Sequence, residues 1–435
     1  MGKVAALLAG TIGLIAAGPA SAAGLLPHQA ALEIDGSATA WILTSTALVL
    51  MMTLPGLALF YGGMVRRKNI IAMVAQSGAA FAVVTVLWFI AGYSLSFGAG
   101  SDALQPFVGG FDVLFLNGVT PETANSLLPG LPELLFISFQ LTFAIITPAL
   151  IVGSVAERMK FSASVLFFGL WHLLVYAPIC HQVWGGGYLG SMGVLDFAGG
   201  AVVHVNAGVA GLVCALVMGP RHGFRRDLMA PSNLAYTAIG TGLLLVGWLG
   251  FNAGSAGAAD TLAATAAFNT ILAAAAGAVG WIAVEWIERK RPTLLGLLSG
   301  VVGGLVAITP AAGFVLPSGA FVIGLIAGPA CYAGAVWLKH LLKYDDSLDA
   351  WGIHGIGGIV GALLTGVFAS TAVNGLSEGA SVVTQAIGLV GAMAWSAVGT
   401  FVVLMICKYT TGLRVTKDEE IEGLDYTQHG ESLHD

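Results

Sequence analysis

The chain reads as an all-α polytopic membrane protein. Of its 435 residues, 57% are apolar and only 9% are charged, against roughly 25% charged in soluble domains. Eleven stretches are each apolar enough, and long enough, for a spanning helix of about 20 residues. Of the 17 Lys and Arg, all but Lys3 fall at or just past the ends of odd-numbered stretches. With a mean hydropathy of +0.88 and so few charges, the chain could not cover a soluble surface. The net charge of −6 and the lack of any basic tract exclude a nucleic-acid binder. Gly is abundant, at 61 residues, which suits helices that approach closely in a membrane. Cys180, Cys214, Cys331 and Cys407 lie in apolar runs without metal-like spacing. They read as buried small residues rather than a disulfide framework.

Residues 1–22, MGKVAALLAGTIGLIAAGPASA, have a positive start at Lys3, a short apolar run and a small-x-small site at Ala20-Ser21-Ala22. That pattern predicts a signal peptide cleaved after Ala22, which leaves the mature N-terminus outside the cytoplasm. An export signal without organelle features points to a bacterial inner membrane. The remainder divides into a transmembrane domain, 23–410, and a cytoplasmic tail, 411–435.

The expected spans are 41–65, 69–97, 133–156, 161–180, 198–219, 233–257, 262–287, 293–313, 319–342, 352–371 and 382–408. Charge orients them. Arg66, Arg67 and Lys68 follow the first, Arg158 and Lys160 the third, and Arg221, Arg225 and Arg226 the fifth. Arg289, Lys290 and Arg291 follow the seventh, Lys339 and Lys343 end the ninth, and Lys408, Arg414 and Lys417 follow the last. The even-numbered connections carry no Lys or Arg. The positive-inside rule then puts the N-terminus out and the C-terminus in. Residues 98–132 carry Asp102, Asp112 and Glu122, with Glu133 at their end and no basic residue, and read as an external loop. The tail is polar and acidic. It reads either as a solvated end or as a docking surface for a cytoplasmic partner.

The fifth and tenth spans open alike: Leu195-Asp196, small residues, then His204; Leu348-Asp349, small residues, then His354. Spans five apart run in opposite directions, so two inverted five-helix repeats plus a last helix are expected, a transporter architecture. His204 lies eight residues past Asp196, about 12 Å along a helix, and His354 five past Asp349, about 7–8 Å. The two imidazoles approach mid-membrane from opposite faces. Asp196 and Asp349 suit N-cap positions, where a carboxylate meets free N–H groups and the positive end of the dipole.

An ionisable side chain deep in a membrane marks a site by default, and neutral imidazole is the cheapest to bury. From these residues two readings stay open. One is a conduction path lined by imidazoles; the other is a haem held by facing axial histidines, which a Soret band would reveal. His172 and His181 have no repeat mate, and packing is the expected role for both.

The motifs TLPGLALFYGG (53–63), VGSVAER (152–158), VWGGG (183–187), DFAGGAVVH (196–204), GFNAGSAG (250–257) and WGIHGIGGIVG (351–361) resemble the Amt/Mep/Rh ammonium transporter family. The GLRVTKDEEIEGLD tail resembles it too. The resemblance implies that Trp184 and Ser255 recruit ammonium outside, that Phe143 and Phe251 form a stacked gate with Phe139 at its edge, and that His204 and His354 are twin pore histidines. It implies a structural role for Asp196, a homotrimer with one pore per protomer, and a PII-type signalling protein on the cytoplasmic face. Trp184 and Ser255 resemble the Amt branch. The activity implied is ammonium transport, with no enzymatic step, catalytic residue, metal or cofactor. The alternative is an ammonium sensor of the same fold acting through a partner protein.

On that reading ammonium sits over the Trp184 ring, a cation–π contact of roughly 0.5–2 kcal/mol. Ser255 accepts one of its N–H groups, which favours ammonium over potassium, an ion without hydrogens. A full charge in an apolar pore is prohibitive and neutral ammonia is not, so deprotonation is expected below the gate.

Overall fold

The computed structural model describes residues 34–433; the expected signal peptide, 1–22, lies outside the described residues. Among the described residues the chain is all-helical, without strands. Among the described residues ten helices are long and apolar enough to cross a membrane. They are α1 (Gly36–Met64), α2 (Arg67–Phe97), α3 (Glu133–Val155), α4 (161–183), α5 (Gly200–Met218), α6 (Leu234–Ala253), α7 (Thr261–Arg289), α9 (Pro317–Leu342), α10 (Trp351–Phe368) and α11 (Val382–Thr410). The eighth expected span, 293–313, is shorter. Its helix α8 covers Leu294–Ile308, 15 residues, about 22 Å at 1.5 Å per residue. The chain then leaves the helix at Thr309-Pro310 although the sequence stays apolar.

Helix starts follow capping chemistry. Asp35 accepts from the Ser37 and Ala38 amides at α1, Asn233 from Ala235 and Tyr236 at α6, and Asp260 from Ala263 at α7. Pro317 sits in the first turn of α9, where its missing N–H costs nothing. The packing is close where Cβ atoms are absent. On Gly277 of α7, a Cβ would lie 2.5 Å from the Gly300 carbonyl oxygen of α8.

Several helices widen by one residue into a π-turn, a feature frequent at functional sites. In α1 it spans Met52–Leu57, around Pro55, and in α6 Leu249–Ala253. In α4 it spans His172–Tyr176 and in α9 Ala333–Leu338. In α5 it opens the helix at Gly200–Val205, and in α10 at Trp351–Gly355. Each of these three pairs is five spans apart, whereas a further π-turn, Trp88–Gly92 in α2, has no counterpart in α7.

Arg66, Arg158 and Arg221, which follow the first, third and fifth helices, meet in a buried ionic network. Glu157 accepts from the Arg66 amide at 2.6 Å and pairs with Arg66 at 2.7 Å and Arg221 at 3.1 Å. Arg221 also pairs with Asp345 at 2.8 Å. Arg158 is fully buried; its guanidinium donates to the carbonyls of Gly219 (3.0 Å) and Asp345 (2.7 Å) and to Ser347 Oγ (2.6 Å). Burial acts to raise the Glu157 and Asp345 carboxyls. Arg221 outweighs it at both, helped by Arg66 and Arg158 respectively, and holds them below their ordinary values.

The tail folds back over this end. Thr416 and Glu419 form a capping box that starts α12 (Lys417–Glu422), and α13 (Leu424–His429) follows. Val415 N–H donates to the Arg158 carbonyl at 3.1 Å, and Leu424 N–H to Asn69 Oδ1 at 2.9 Å. Asp425 accepts from the Ala72 amide at 2.9 Å. Buried Glu420 accepts from the His222 amide at 2.6 Å and pairs with Arg414 at 2.7 Å. The tail is a packed layer, not a solvated end.

Candidate functional site

A single column of rings runs through the bundle. Trp184 follows α4, and its Nε1–H donates to the Asp196 carbonyl at 2.8 Å, which fixes the indole while leaving it half-buried. The Phe143 ring of α3 meets Trp184 edge-on at 5.8 Å and 90°. Phe143 lies 4.2 Å from Phe251 of α6, centroid to centroid. Both are buried, at 1% and 0% exposure. Phe139, one turn earlier on α3, packs edge-on against Phe143 at 5.0 Å. It rests beside Gly254, where a Cβ would lie 3.0 Å from its ring.

Below the phenyl pair His204 stacks 5.9 Å from Phe251 and 5.3 Å from His354. The two Nδ1 atoms are 3.3 Å apart, in hydrogen-bond contact. Among the described residues His204 Nε2 has no protein partner. Two axial imidazoles of one haem lie on opposite faces of the macrocycle. Rings stacked at 5.3 Å and touching through Nδ1 leave no room for that plane. Trp248, three residues before Phe251 and hence on the same helix face, stacks on His204 at 5.3 Å. Sequence reasoning missed it; the three-residue spacing was the available signal.

Ser255 is half-buried, and its hydroxyl donates to the Phe251 carbonyl at 2.8 Å. With its proton committed, the oxygen offers lone pairs to a donor. That is the chemistry an ion with N–H groups needs.

The two histidines are placed by matching carboxylates. Asp196 accepts from the amides of Gly199, Gly200, Ala201 and Val202, at 2.8, 2.6, 2.8 and 3.0 Å. Burial pushes its carboxyl above the ordinary value, and these four donors pull against that shift. At α10 the capping expectation for Asp349 needs correction. Asp349 has φ +61 and pairs with Lys339. The cap is Asp346, which accepts from Ala350 and Trp351 amides at 3.2 and 2.8 Å. Asp346 lies eight residues before His354, the spacing of Asp196 from His204. The Leu-Asp match had hidden this closer correspondence.

His172 and His181 lie apart from the histidine pair. His181 bridges toward the carbonyls of Ser96 (3.0 Å) and Gln105 (2.7 Å) and fastens the 98–132 segment. His172 is fully buried between Trp88 and Tyr176, each at 5.7 Å.

Residues 40–433 match the model of the Ammonium Transporter Family. An ammonium transporter of Aquifex aeolicus is 47% identical over 408 residues, covering 92% of this chain and 94% of that one. The ammonium transporter of Bacillus subtilis is 47% identical over 395 residues, covering 89% and 96%. The crystal structure of Saccharomyces cerevisiae Mep2 superposes with a TM-score of 0.81 at 36% identity, covering 89% of each chain. A solved structure described as a Sensor Amt Protein gives 0.83 at 28% identity, covering 90% and 98%.

Proposed function

The chain belongs to the ammonium transporter family, a multi-pass membrane family, and from that premise we propose how it moves ammonium. Ammonium is recruited over the Trp184 ring and donates to Ser255. It passes the Phe143–Phe251 gate, beside Phe139, as it gives up its proton, which either returns to the outside water, so that ammonia alone crosses, or follows along the His204–His354 pair, so that the transport carries charge. Ammonia then descends past His204 and His354. The observation that carries this reading is the unbroken column of rings from Trp184 to His354.

The histidine contact gives the lower step its chemistry. A neutral pair sharing Nδ1···Nδ1 holds one proton between the rings, so one ring donates and the other accepts. The donor ring then presents Nε2 as an acceptor, and the acceptor ring presents Nε2–H as a donor. Ammonia finds both kinds of partner. A metal cation finds no compensating charge, and an unpaired charge in an apolar interior is prohibitive.

The eleven-span topology with N out and C in follows from the charge pattern, with α8 as the short span. The three π-turn pairs and the matching Asp196/His204 and Asp346/His354 spacings support two inverted repeats. The mouth at Trp184 is then external, and the network and tail are cytoplasmic, in a bacterial inner membrane. The protein works as a homotrimer of independent pores, and the docked tail is the surface for a PII-type regulator. Asp196 holds the mouth, and Asp349 braces the far end through Lys339.

Ammonium-driven current in proteoliposomes tests the transport reading. Net ammonium transport gives a saturable current, whereas ammonia channelling is electrically silent and shows as a pH change. A sensor acting through a partner, the reading favoured by the likeness to the Sensor Amt Protein, gives neither signal. Mass measurement in mild detergent tests the trimer, and an active monomer would sink it.

A further inference from the structure

Helix α11 lies outside the repeat-related helices, yet one buried side chain on it touches both halves of the site. Gln385 is 2% exposed. Its Oε1 accepts from the Leu195 amide at 2.7 Å. Its Nε2 donates to the Leu195 carbonyl at 2.8 Å and to the Ala362 carbonyl of α10 at 3.1 Å. Leu195 precedes α5 in an irregular segment, so its buried N–H and C=O have no helical partners. The seat is shaped for this segment. A Cβ on Gly388, one turn along α11, would lie 2.7 Å from the Val194 side chain.

We propose that Gln385 is the positioning residue of the recruitment mouth, a role that rests on the transport reading above. The carbonyl it grips belongs to the peptide plane that begins Asp196, and that plane is rigid. The Asp196 carbonyl in turn holds the Trp184 indole at 2.8 Å, and its carboxylate holds the first turn of α5. Along this path the carboxamide fixes the angle of the Trp184 ring. Its third hydrogen bond lands on Ala362, two turns past His354 on α10. Asn206, two residues past His204, has its carbonyl held by Ser396 of the same α11 at 2.8 Å, so α5 is fastened to this helix at both levels.

The test is Gln385→Met, which keeps length and volume and removes every donor and acceptor. Two orphaned polar groups on Leu195 let the mouth relax. The half-saturating ammonium concentration, read in proteoliposomes as current or as internal pH change, should rise about threefold and no further than Trp184→Leu itself moves it, because the carboxamide acts through that ring. Maximal current should stay within about twofold, because the rings below the gate are untouched. In a Trp184→Leu background the same substitution should shift half-saturation by less than about twofold, since coupled residues are non-additive. A loss of maximal current at unchanged half-saturation would overturn the proposal, as would an undiminished shift in the Trp184→Leu background. If Gln385→Met yields no folded protein, Gln385→Glu takes its place. It keeps the acceptor for the Leu195 amide, loses both donors, and should move half-saturation in the same direction. If Trp184→Leu itself changes nothing, the recruitment reading fails. If Trp184→Leu shifts half-saturation and neither Gln385 variant does, only the positioning role fails.

Discussion

His204 and His354 touch through their Nδ1 atoms at 3.3 Å although they stand 150 residues apart in the chain. The contact forces the two rings into opposite roles, one giving and one taking the shared proton. Neither can then be altered without changing what the other presents.

Replacing His204 by Asp should admit potassium. A carboxylate there supplies the counter-charge the neutral pair withholds, and an opposite charge lowers the transfer cost of an ion by several kcal/mol at low dielectric. His204→Ala should lower ammonium-driven current without admitting potassium. Currents under separate ammonium and potassium gradients decide it. Wild-type selectivity in both variants would reduce the pair to helix packing.

Trp184→Leu should raise half-saturating ammonium several-fold, consistent with loss of roughly 0.5–2 kcal/mol of cation–π attraction. Its maximal current should be kept or increased, since the ring acts before the phenyl pair. An unchanged concentration dependence removes the indole from recruitment.

The buried ionic network should make stability fall in acid. Glu157 and Asp345 are held below their ordinary values of 4.5 and 3.8 in the fold. At these two groups the unfolded chain therefore binds more protons than the folded one in the acid range. The contribution is complete above those ordinary values and is lost as pH falls through the depressed ones. The part of the apparent melting temperature that these two groups supply should be level from about pH 7 to 5 and drop below about pH 4. Asp345→Asn removes one of the two charged partners of buried Arg221, with Glu157 remaining at 3.1 Å, a loss of roughly 1.5–3 kcal/mol, and should flatten the acid limb. A variant with the wild-type acid limb would show that these groups are not its source.

Gly423→Ala should release the tail. Gly423 has φ +118, and a Cβ there would lie 2.6 Å from Lys68 Cβ, so both backbone and space resist the change. Limited proteolysis should then cut within 411–435, where the wild type is protected. Pull-down with a PII-type protein should weaken in this variant and vanish on deletion of 411–435. Binding that survives the deletion would move the docking surface to the loops.

Much of the fold was legible in hydropathy and charge, because a membrane admits few kinds of spanning element. The length of α8 was not. Residues 309–313 are apolar enough to prolong the span, but hydropathy carries no sign of where Pro310 ends the helical hydrogen bonding. In the site, Trp184, Phe143, Phe251, His204 and His354 fall in one column. The capping carboxylate of α10 was misplaced because Leu348-Asp349 copies Leu195-Asp196 in letters. The eight-residue interval to the histidine, which Asp346 shares with Asp196, is the physical invariant. Gln385 gave no signal at all: one amide in a long apolar helix looks like any other interhelical hydrogen bond.

The tail reaches Asn69 and Ala72 beside the first connection, Arg158 after the third helix and His222 after the fifth. Three hairpin ends are thus stitched to one short ribbon of chain. Whatever grasps that ribbon holds a handle common to all three, and a tug on it is shared by the helices carrying Phe143 and His204 rather than spent on one loop.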